Sequence, residues 1–517
     1  MSNHLYDALS AGTDDPDAAC LILTDGGTVT HGDLHRRAAR IAALLADAGL
    51  QPGDRVAAQL DKSVAKLALY LGTVRAGGAF LPLNPAYTPD EVAYFLHDAE
   101  PAVIVCDPAR EGDMRRASAT AAIFTLDGAG AGSLIDAAGA MPADRPPAAR
   151  GPDDLAAILY TSGTTGRSKG AMLSHDNLLS NARTLCAAWQ VTARDRLLHA
   201  LPVFHTHGLF VACNTLLLAG GAMIWLPRFD PAEVIALLPR ATMMMGVPTF
   251  YTRLLDRPDF TREVAADARV FISGSAPLLP ETHRRFEERT GQRILERYGM
   301  TETNMTTSNP LAGERRPGSV GPALPGVEVR ITSVEAGADA DVDGDPATAP
   351  AGRPDGEIGM IEVRGPNVFQ GYWQMPEKTA EELRPDGWFI TGDLGTRDAD
   401  GYVTIVGRGK DLVITGGLNV YPREVEMLID DLPGVLESAV IGVPHPDFGE
   451  AVVAVVAPRP GAALEPDALM NALTDRIARF KQPKRVIVVP ELPRNAMGKV
   501  QKAALRARHA GLFGGAG

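Results

Sequence analysis

Apolar residues recur along this chain with two spacings. Between residues 32 and 49 they fall at Leu34, Ala38, Ile41, Leu44 and Leu45, close to the period of one helix face. Elsewhere they form short runs: Arg55-Val56-Ala57-Ala58-Gln59-Leu60, Ala102-Val103-Ile104-Val105-Cys106, Leu155-Ala156-Ala157-Ile158-Leu159-Tyr160 and Ala222-Met223-Ile224-Trp225-Leu226. These runs predict strands. Helix and strand patterns alternate up to residue 330, which predicts a layered α/β architecture. From residue 327 the pattern turns to strands, at 327–331, 359–363 and 402–406. Segments 139–153 and 335–356 show neither period and predict solvated loops.

A glycine-flanked charged run follows, Gly407-Arg408-Gly409-Lys410-Asp411. Beyond it the pattern predicts a compact α+β unit, with helices at 422–430 and 466–479 and strands at 435–443, 451–457 and 485–489. The expected division is a large N-terminal domain over 1–407, a hinge at 408–410 and a small mobile C-terminal domain over 411–517. Domains joined at one short hinge move against each other.

Composition changes this picture mainly by exclusion. With 517 residues and 45% hydrophobic content, the chain can bury a large core. Its net charge of -13 argues against nucleic acid or an anionic membrane as partner. A small anionic substrate would need a local cationic site in this acidic body. Cys20, Cys106, Cys186 and Cys213 are scattered without a CxxC pair, which argues against a zinc site or a disulfide framework. The first residues, MSNHLYDALSAGTDD, lack a basic segment followed by an apolar one, so no signal peptide is predicted and the cytoplasm is the expected compartment. The apolar stretch 208–226 approaches the length of a membrane span. Asn214 and the pair Gly220-Gly221 interrupt it, and it reads as a buried helix running into a strand.

The most informative chemistry is at 160–170, Tyr-Thr-Ser-Gly-Thr-Thr-Gly-Arg-Ser-Lys-Gly. Glycines let backbone N–H groups turn inward. Hydroxyls add donors, and Arg167 and Lys169 add positive charge. Placed after a predicted buried strand, the loop reads as a phosphate cradle. Its spacing departs from the Walker A pattern, which removes the P-loop kinase reading.

Four further motifs follow in order: Tyr298-Gly299-Met300-Thr301-Glu302, Thr391-Gly392-Asp393, Gly407-Arg408 and Pro493-Arg494-Asn495-Ala496-Met497-Gly498-Lys499. With the cradle, their order and spacing resemble the adenylate-forming superfamily of acyl-CoA synthetases, adenylation domains and luciferases over essentially the whole chain. The resemblance implies ATP, Mg2+ and coenzyme A, and a reaction in two halves. A carboxylate attacks the α-phosphate and expels pyrophosphate; a thiol then displaces AMP. Lys499 would neutralise charge building on the α-phosphate. Thr301 would contact that phosphate, and Glu302 would be the magnesium ligand. Thr161, Ser162, Gly163, Thr164, Thr165 and Lys169 would hold the β- and γ-phosphates. Asp393 and Arg408 would take the ribose, and Tyr298 would stack on adenine opposite Gly274, Ser275 and Ala276. Lys410 would be the hinge residue, and rotation there would bring Gly416 and Gly417 to the pantetheine arm.

Within the superfamily, 245–255, 295–305 and 409–422 closely resemble the malonyl-CoA synthetases. By that likeness Arg297 faces the acyl pocket and clamps a distal carboxylate. The rival reading leaves Arg297 exposed, or pairs it with Glu296 or Glu302. His205, in Phe204-His205-Thr206-His207-Gly208, would gate or orient the reacting carboxylate. Thr206 and Met305 would border the C2 carbon. A methyl group there changes discrimination by about 1–3 kcal/mol, so malonate and methylmalonate both stay open. Other readings are a ligase for another short acid, a stand-alone adenylation domain loading a carrier protein, and a non-catalytic nucleotide-binding regulator. Acetylation of Lys499 by an acetyltransferase, reversed by a deacetylase, would remove its charge and switch off the first half-reaction.

Overall fold

Neighbouring residues of single strands enter different cores. In the computed structural model, which describes residues 2–161, 168–333, 352–416, 418–474, 476–495 and 498–513, Val56 and Ala58 face one core and Ala57 another. Val103 and Val105 part from Ile104 in the same way, and Met243 and Met245 from Met244. A strand covered on both faces reads as an unbroken apolar run, which is why the sequence shows runs at these places.

Two largely parallel sheets build the N-terminal domain. The eight-stranded one runs from Asn304–Ser308 through Leu295–Met300, Val270–Ser273, Met243–Gly246, Arg196–His199, Ala222–Trp225 and Ala19–Leu23 to Thr28–Thr30. The six-stranded one runs from Ala122–Thr125 through Val103–Cys106, Arg55–Gln59, Ala79–Leu83 and Leu155–Thr161 to Lys169–Ser174. Helices His31–Asp47, Val64–Arg75 and His175–Ala188 share one core with a face of each sheet. Val64–Arg75 is buried on nearly every side, as a helix enclosed by other elements must be. The opposite sheet faces are covered by other helices, among them Pro248–Leu255 and Pro280–Thr290 on one and Pro89–Ala99 on the other. A four-stranded antiparallel sheet, Glu328–Thr332, Gly359–Arg364, Phe389–Arg397 and Val403–Arg408, completes the domain and pairs Asp393 with Arg408.

The small C-terminal domain is a five-stranded sheet whose long hairpin joins Val435–His445 to Gly449–Pro458, with a separate core on each face. Its helix predicted at 466–479 is a correction, for the helix ends at Ala472. The N–H groups of Leu473, Thr474 and Arg476 each bond the carbonyl three residues back, a turn rather than a continuing α-helix. Asn471 and Thr474 are weak helix formers at that point. The apolar stretch at 208–226 resolves into a π-helical segment His207–Asn214, a turn of α-helix Thr215–Leu218 and the strand Ala222–Trp225. Among the described residues no helix is long and apolar enough to cross a membrane. Most of the loop expected at 335–356 lies outside the described residues.

Candidate active site

Parallel strands of the eight-stranded sheet end on one cleft of about 2980 Å³, lined from both domains. Segments leaving those strands carry Phe204 to His207, Val247 to Thr249 and Ser275 to Ala276 into it; strand Leu295–Met300 adds Arg297, and the C-terminal domain adds Gly498 and Lys499.

Arg297 is 3% exposed, and its Nε and Nη2 have no hydrogen-bond partner among the described residues. The guanidinium packs on Gly274, where a Cβ would lie 2.3 Å from Nη1. Only glycine permits that approach. Burial draws the Arg297 pKa down to about 9. Both carboxylates of the rival pairing are engaged elsewhere. Glu296 accepts the Gly318 N–H at 3.2 Å, and burial pushes it up to about 8. Glu302 Oε1 lies 3.2 Å from the Thr161 hydroxyl and 3.2 Å from the Tyr372 hydroxyl.

Thr206 Oγ1, His207 Nε2 and Ser273 Oγ are likewise buried without partners, and Met305 is buried beside the same cleft. Ser275 holds a left-handed φ of 70°, unusual for a residue with a side chain, and its Oγ is 3.2 Å from His207 Nδ1. Burial, then Lys499 and Arg297, push the half-buried His205 down to about 3. Burial, then Arg297, hold His207 well below its ordinary value. Both imidazoles are therefore neutral near pH 7.

Elsewhere in the cleft, the Tyr298 hydroxyl donates to Asp393 Oδ2 at 2.5 Å and Arg408 Nε meets Asp393 Oδ1 at 2.7 Å. Thr301 and Ala276 line the same region. Lys169 donates to both carboxylate oxygens of Glu382, at 3.0 and 3.1 Å, and lies 4.0 Å over the Tyr372 ring. Tyr372 also donates to Glu382 at 2.5 Å, and Lys378 pairs with it at 3.0 Å. Sequence reasoning missed Tyr372, Lys378 and Glu382. They stand in Gly371-Tyr372-Trp373-Gln374-Met375-Pro376-Glu377-Lys378-Thr379-Ala380-Glu381-Glu382, a run without a phosphate-binding pattern, and Glu382 is 213 positions from Lys169. It missed Ser273 as well, a plain strand residue by pattern.

Lys499 lines the cleft from a tight turn in which Asn495 and Lys499 exchange hydrogen bonds and Gly498 takes a φ of 74°. That turn meets the large domain at Thr249, 3.5 Å from where a Gly498 Cβ would stand. Burial and then Arg408 lower the Lys499 pKa, with Asp393 and Glu302 opposing. Lys410 sits exposed in the turn Gly409–Asp411, and Gly416 is exposed and does not line the cleft. Ser162, Gly163, Thr164, Thr165 and Gly417 lie outside the described residues.

A magnesium ion takes one or two carboxylates together with substrate phosphates and water. Glu302 supplies one carboxylate beside Thr161, and among the described residues no group of three His, Cys, Asp or Glu makes an all-protein cage. The donor set thus fits an ion that arrives with nucleotide.

Residues 10–373 match the AMP-binding enzyme family model and residues 424–499 the AMP-binding enzyme C-terminal domain. The chain is 38% identical over 488 residues to a feruloyl-CoA synthase of Amycolatopsis sp, spanning 93% of this chain and 94% of that one. It is 32% identical over 567 residues to the malonate–CoA ligase of Arabidopsis thaliana, spanning 98% and 90%. The solved structure of ATP-bound MatB from Rhodopseudomonas palustris is 55% identical and superposes with a TM-score of 0.95 over 99% of this chain and 100% of that one. Apo MatB superposes at 0.84 with the same identity and coverage, so the difference is one of geometry. The chain belongs to the AMP-binding enzyme family: with the adenylate-forming fold, a large N-terminal and a small C-terminal domain, it is an ATP-dependent, AMP-forming acyl-CoA ligase.

Proposed function

We propose that this ligase joins malonate to coenzyme A through a malonyl-adenylate, with methylmalonate as an accepted second acid. The carrying observation is the buried Arg297 guanidinium with Nε and Nη2 unpartnered. Those two nitrogens share one edge of the planar group, the edge that matches both oxygens of a carboxylate. His205 and His207 are neutral, so Arg297 is a fixed cation at this end of the cleft. One distal carboxylate matches it in charge and shape. Similarity to a malonate–CoA ligase supports the reading. Similarity to a feruloyl-CoA synthase does not extend to the acid, because a neutral aromatic tail leaves Arg297 buried and unpaired, at a cost of about 3–5 kcal/mol.

With the distal carboxylate on Arg297, an oxygen of the other carboxylate attacks the α-phosphorus of ATP, and the bond to the pyrophosphate oxygen breaks. Lys499 and Thr301 stabilise the charge gathering on the α-phosphate. Lys169 and Thr161 hold the departing pyrophosphate, and Asp393 and Arg408 hold the ribose, with Tyr298 against the adenine. Glu302 would hold magnesium, which when bound screens the phosphate charge. The domain arrangement lies nearer the ATP-bound than the apo form of MatB, which supports assignment to this first half. In the second half the C-terminal domain turns at 408–410, withdrawing Lys499 and presenting Gly416 and Gly417. The thiol sulfur of coenzyme A attacks the acyl carbon, the bond to AMP breaks, and the thiol proton leaves to solvent.

The test is AMP release with ATP and coenzyme A from a panel of acetate, malonate, methylmalonate and succinate. Malonate is expected to exceed acetate by about 100-fold or more in kcat/KM. Acetate turning over as well as malonate would sink the dicarboxylate assignment.

A further inference from the structure

Behind the wall that carries Thr206 and His207 lies a polar group with no part in the chemistry above. Lys62 Nζ is 2.7 Å from His199 Nδ1 and 2.7 Å from the His199 carbonyl oxygen, and it lies 4.2 Å over the Trp225 ring. Across the imidazole, His199 Nε2 is 2.8 Å from the Gly208 carbonyl oxygen. Cys213 Sγ reaches the same oxygen at 3.2 Å.

The direction of donation follows from the partners. A carbonyl only accepts, so Nε2 carries the hydrogen. Burial, then the neighbouring Lys62, hold His199 well below its ordinary pKa, and burial holds Lys62 well below its own; the ring is neutral, and its Nδ1 accepts from the Lys62 amine in either protonation state. Lys62 therefore donates to His199, and His199 donates to Gly208. Gly208 is the second residue of the π-helical segment His207–Asn214. It is wedged in place, since a Cβ there would lie 2.0 Å from the Pro202 carbonyl oxygen. Thr206 and His207 come immediately before it, and their Oγ1 and Nε2 are unpartnered beside the cleft. π-helical turns are rare and concentrate at functional sites. Enclosing a lysine amine carries a desolvation cost, here opposed by its two bonds to His199 and the Trp225 face.

We propose that Lys62 and His199 are positioning residues for the acyl pocket: through the Gly208 carbonyl they fix the first turn of the π-helical segment, and with it the room that Thr206 and His207 leave beside the C2 carbon of the acid. The inference rests on reading this wall as the acyl pocket, and deepens that reading. It predicts that the relay governs acid recognition and leaves nucleotide recognition alone.

The experiment uses the full chain, with kcat and KM measured separately for ATP, malonate and methylmalonate. Lys62→Met keeps the stem and removes the donors; His199→Phe keeps the ring and removes both nitrogens. Both are expected to raise the acid KM about tenfold and shift the methylmalonate-to-malonate ratio of kcat/KM about fivefold, with the ATP KM within about twofold of wild type. His199→Gln retains an acceptor for Lys62 and a donor for Gly208, and is expected to restore most of the acid affinity. Unchanged acid KM and ratio in folded Lys62→Met, equal losses for acid and ATP, or a Gln variant no better than Phe overturns the proposal. Should Lys62→Met not fold, Cys213→Val, which removes the second donor to the same carbonyl, decides: a ratio shift of about threefold supports the relay and none overturns it. Wild-type enzyme on the acid panel separates the two readings. If it prefers another acid, the malonate assignment fails, and the relay is judged by the same KM split on that acid.

Discussion

Arg297 concentrates the cost and the use of this site in one side chain. A guanidinium buried without an anion destabilises the ligand-free fold, and on the proposed reading the cost would be recovered when a second carboxylate arrives. Arg297→Met should therefore lower malonate kcat/KM by about 10²–10³-fold, leave ATP KM nearly unchanged, and raise the thermal midpoint by about a few degrees. Kinetics and a melting curve on the same sample check both halves. At the opposite end of the acid, Lys499→Ala should abolish pyrophosphate exchange while thioester formation from synthetic malonyl-adenylate survives; equal loss of both would refute the assigned role. Buried histidines are expected to weaken the fold in acid. Burial first, with nearby positive charge, lowers His35 and His175 to about 4. Their unfolded value is about 6.5, so the unfolded chain binds more protons between the two values. Their contribution is fully present above pH 6.5 and is lost as pH falls toward 4. His35 has no hydrogen-bond partner on either ring nitrogen among the described residues, so His35→Phe should flatten the loss of urea midpoint between pH 7 and 4.5.

Elements were legible in proportion to how local their causes are. The strand runs at 55–60, 102–106 and 222–226 lie within a residue of the observed strands, because burial on both faces writes itself directly into composition. The helix predicted at 466–479 overran because its apolar spacing continued while Asn471 and Thr474 favoured a turn. The segment from Gly371 to Glu382 shows the other limit. Nothing in its pattern marks a partner for Lys169, yet Glu382 takes two bonds from that lysine and one from Tyr372. On the proposed reading, in which Lys169 meets departing pyrophosphate, Glu382 would offset its charge. Glu382→Gln should lower the pyrophosphate inhibition constant about threefold or more while the malonate KM holds. An unchanged inhibition constant would remove Glu382 from that role.

At the scale of the molecule, the arrangement brings Lys499 into the cleft and leaves Ile414, Leu418 and Phe448 facing solvent around Gly416. Large apolar side chains exposed together suit a surface that is covered in another state. The proposed turn at 408–410, carrying this face to the large domain, would account for them. Proline fixes φ near −65° and removes an N–H, so Lys410→Pro should impair thioester formation far more than pyrophosphate exchange. Equal rates for both halves in that variant would place the hinge elsewhere.

The amino-acid sequence alone determined the layered strands and helices and the order of motifs, and the resemblance of those motifs implied the family. Each depends on residues adjacent in the chain, where glycine, hydroxyl, charge and apolar spacing act together. Tertiary structure alone decided that Arg297 Nε and Nη2 have no hydrogen-bond partner among the described residues, that Glu382 meets Lys169, and that Lys62 reaches Gly208 through His199. Those outcomes depend on which side chains distant in sequence exclude water together, and spacing along a chain carries no record of that.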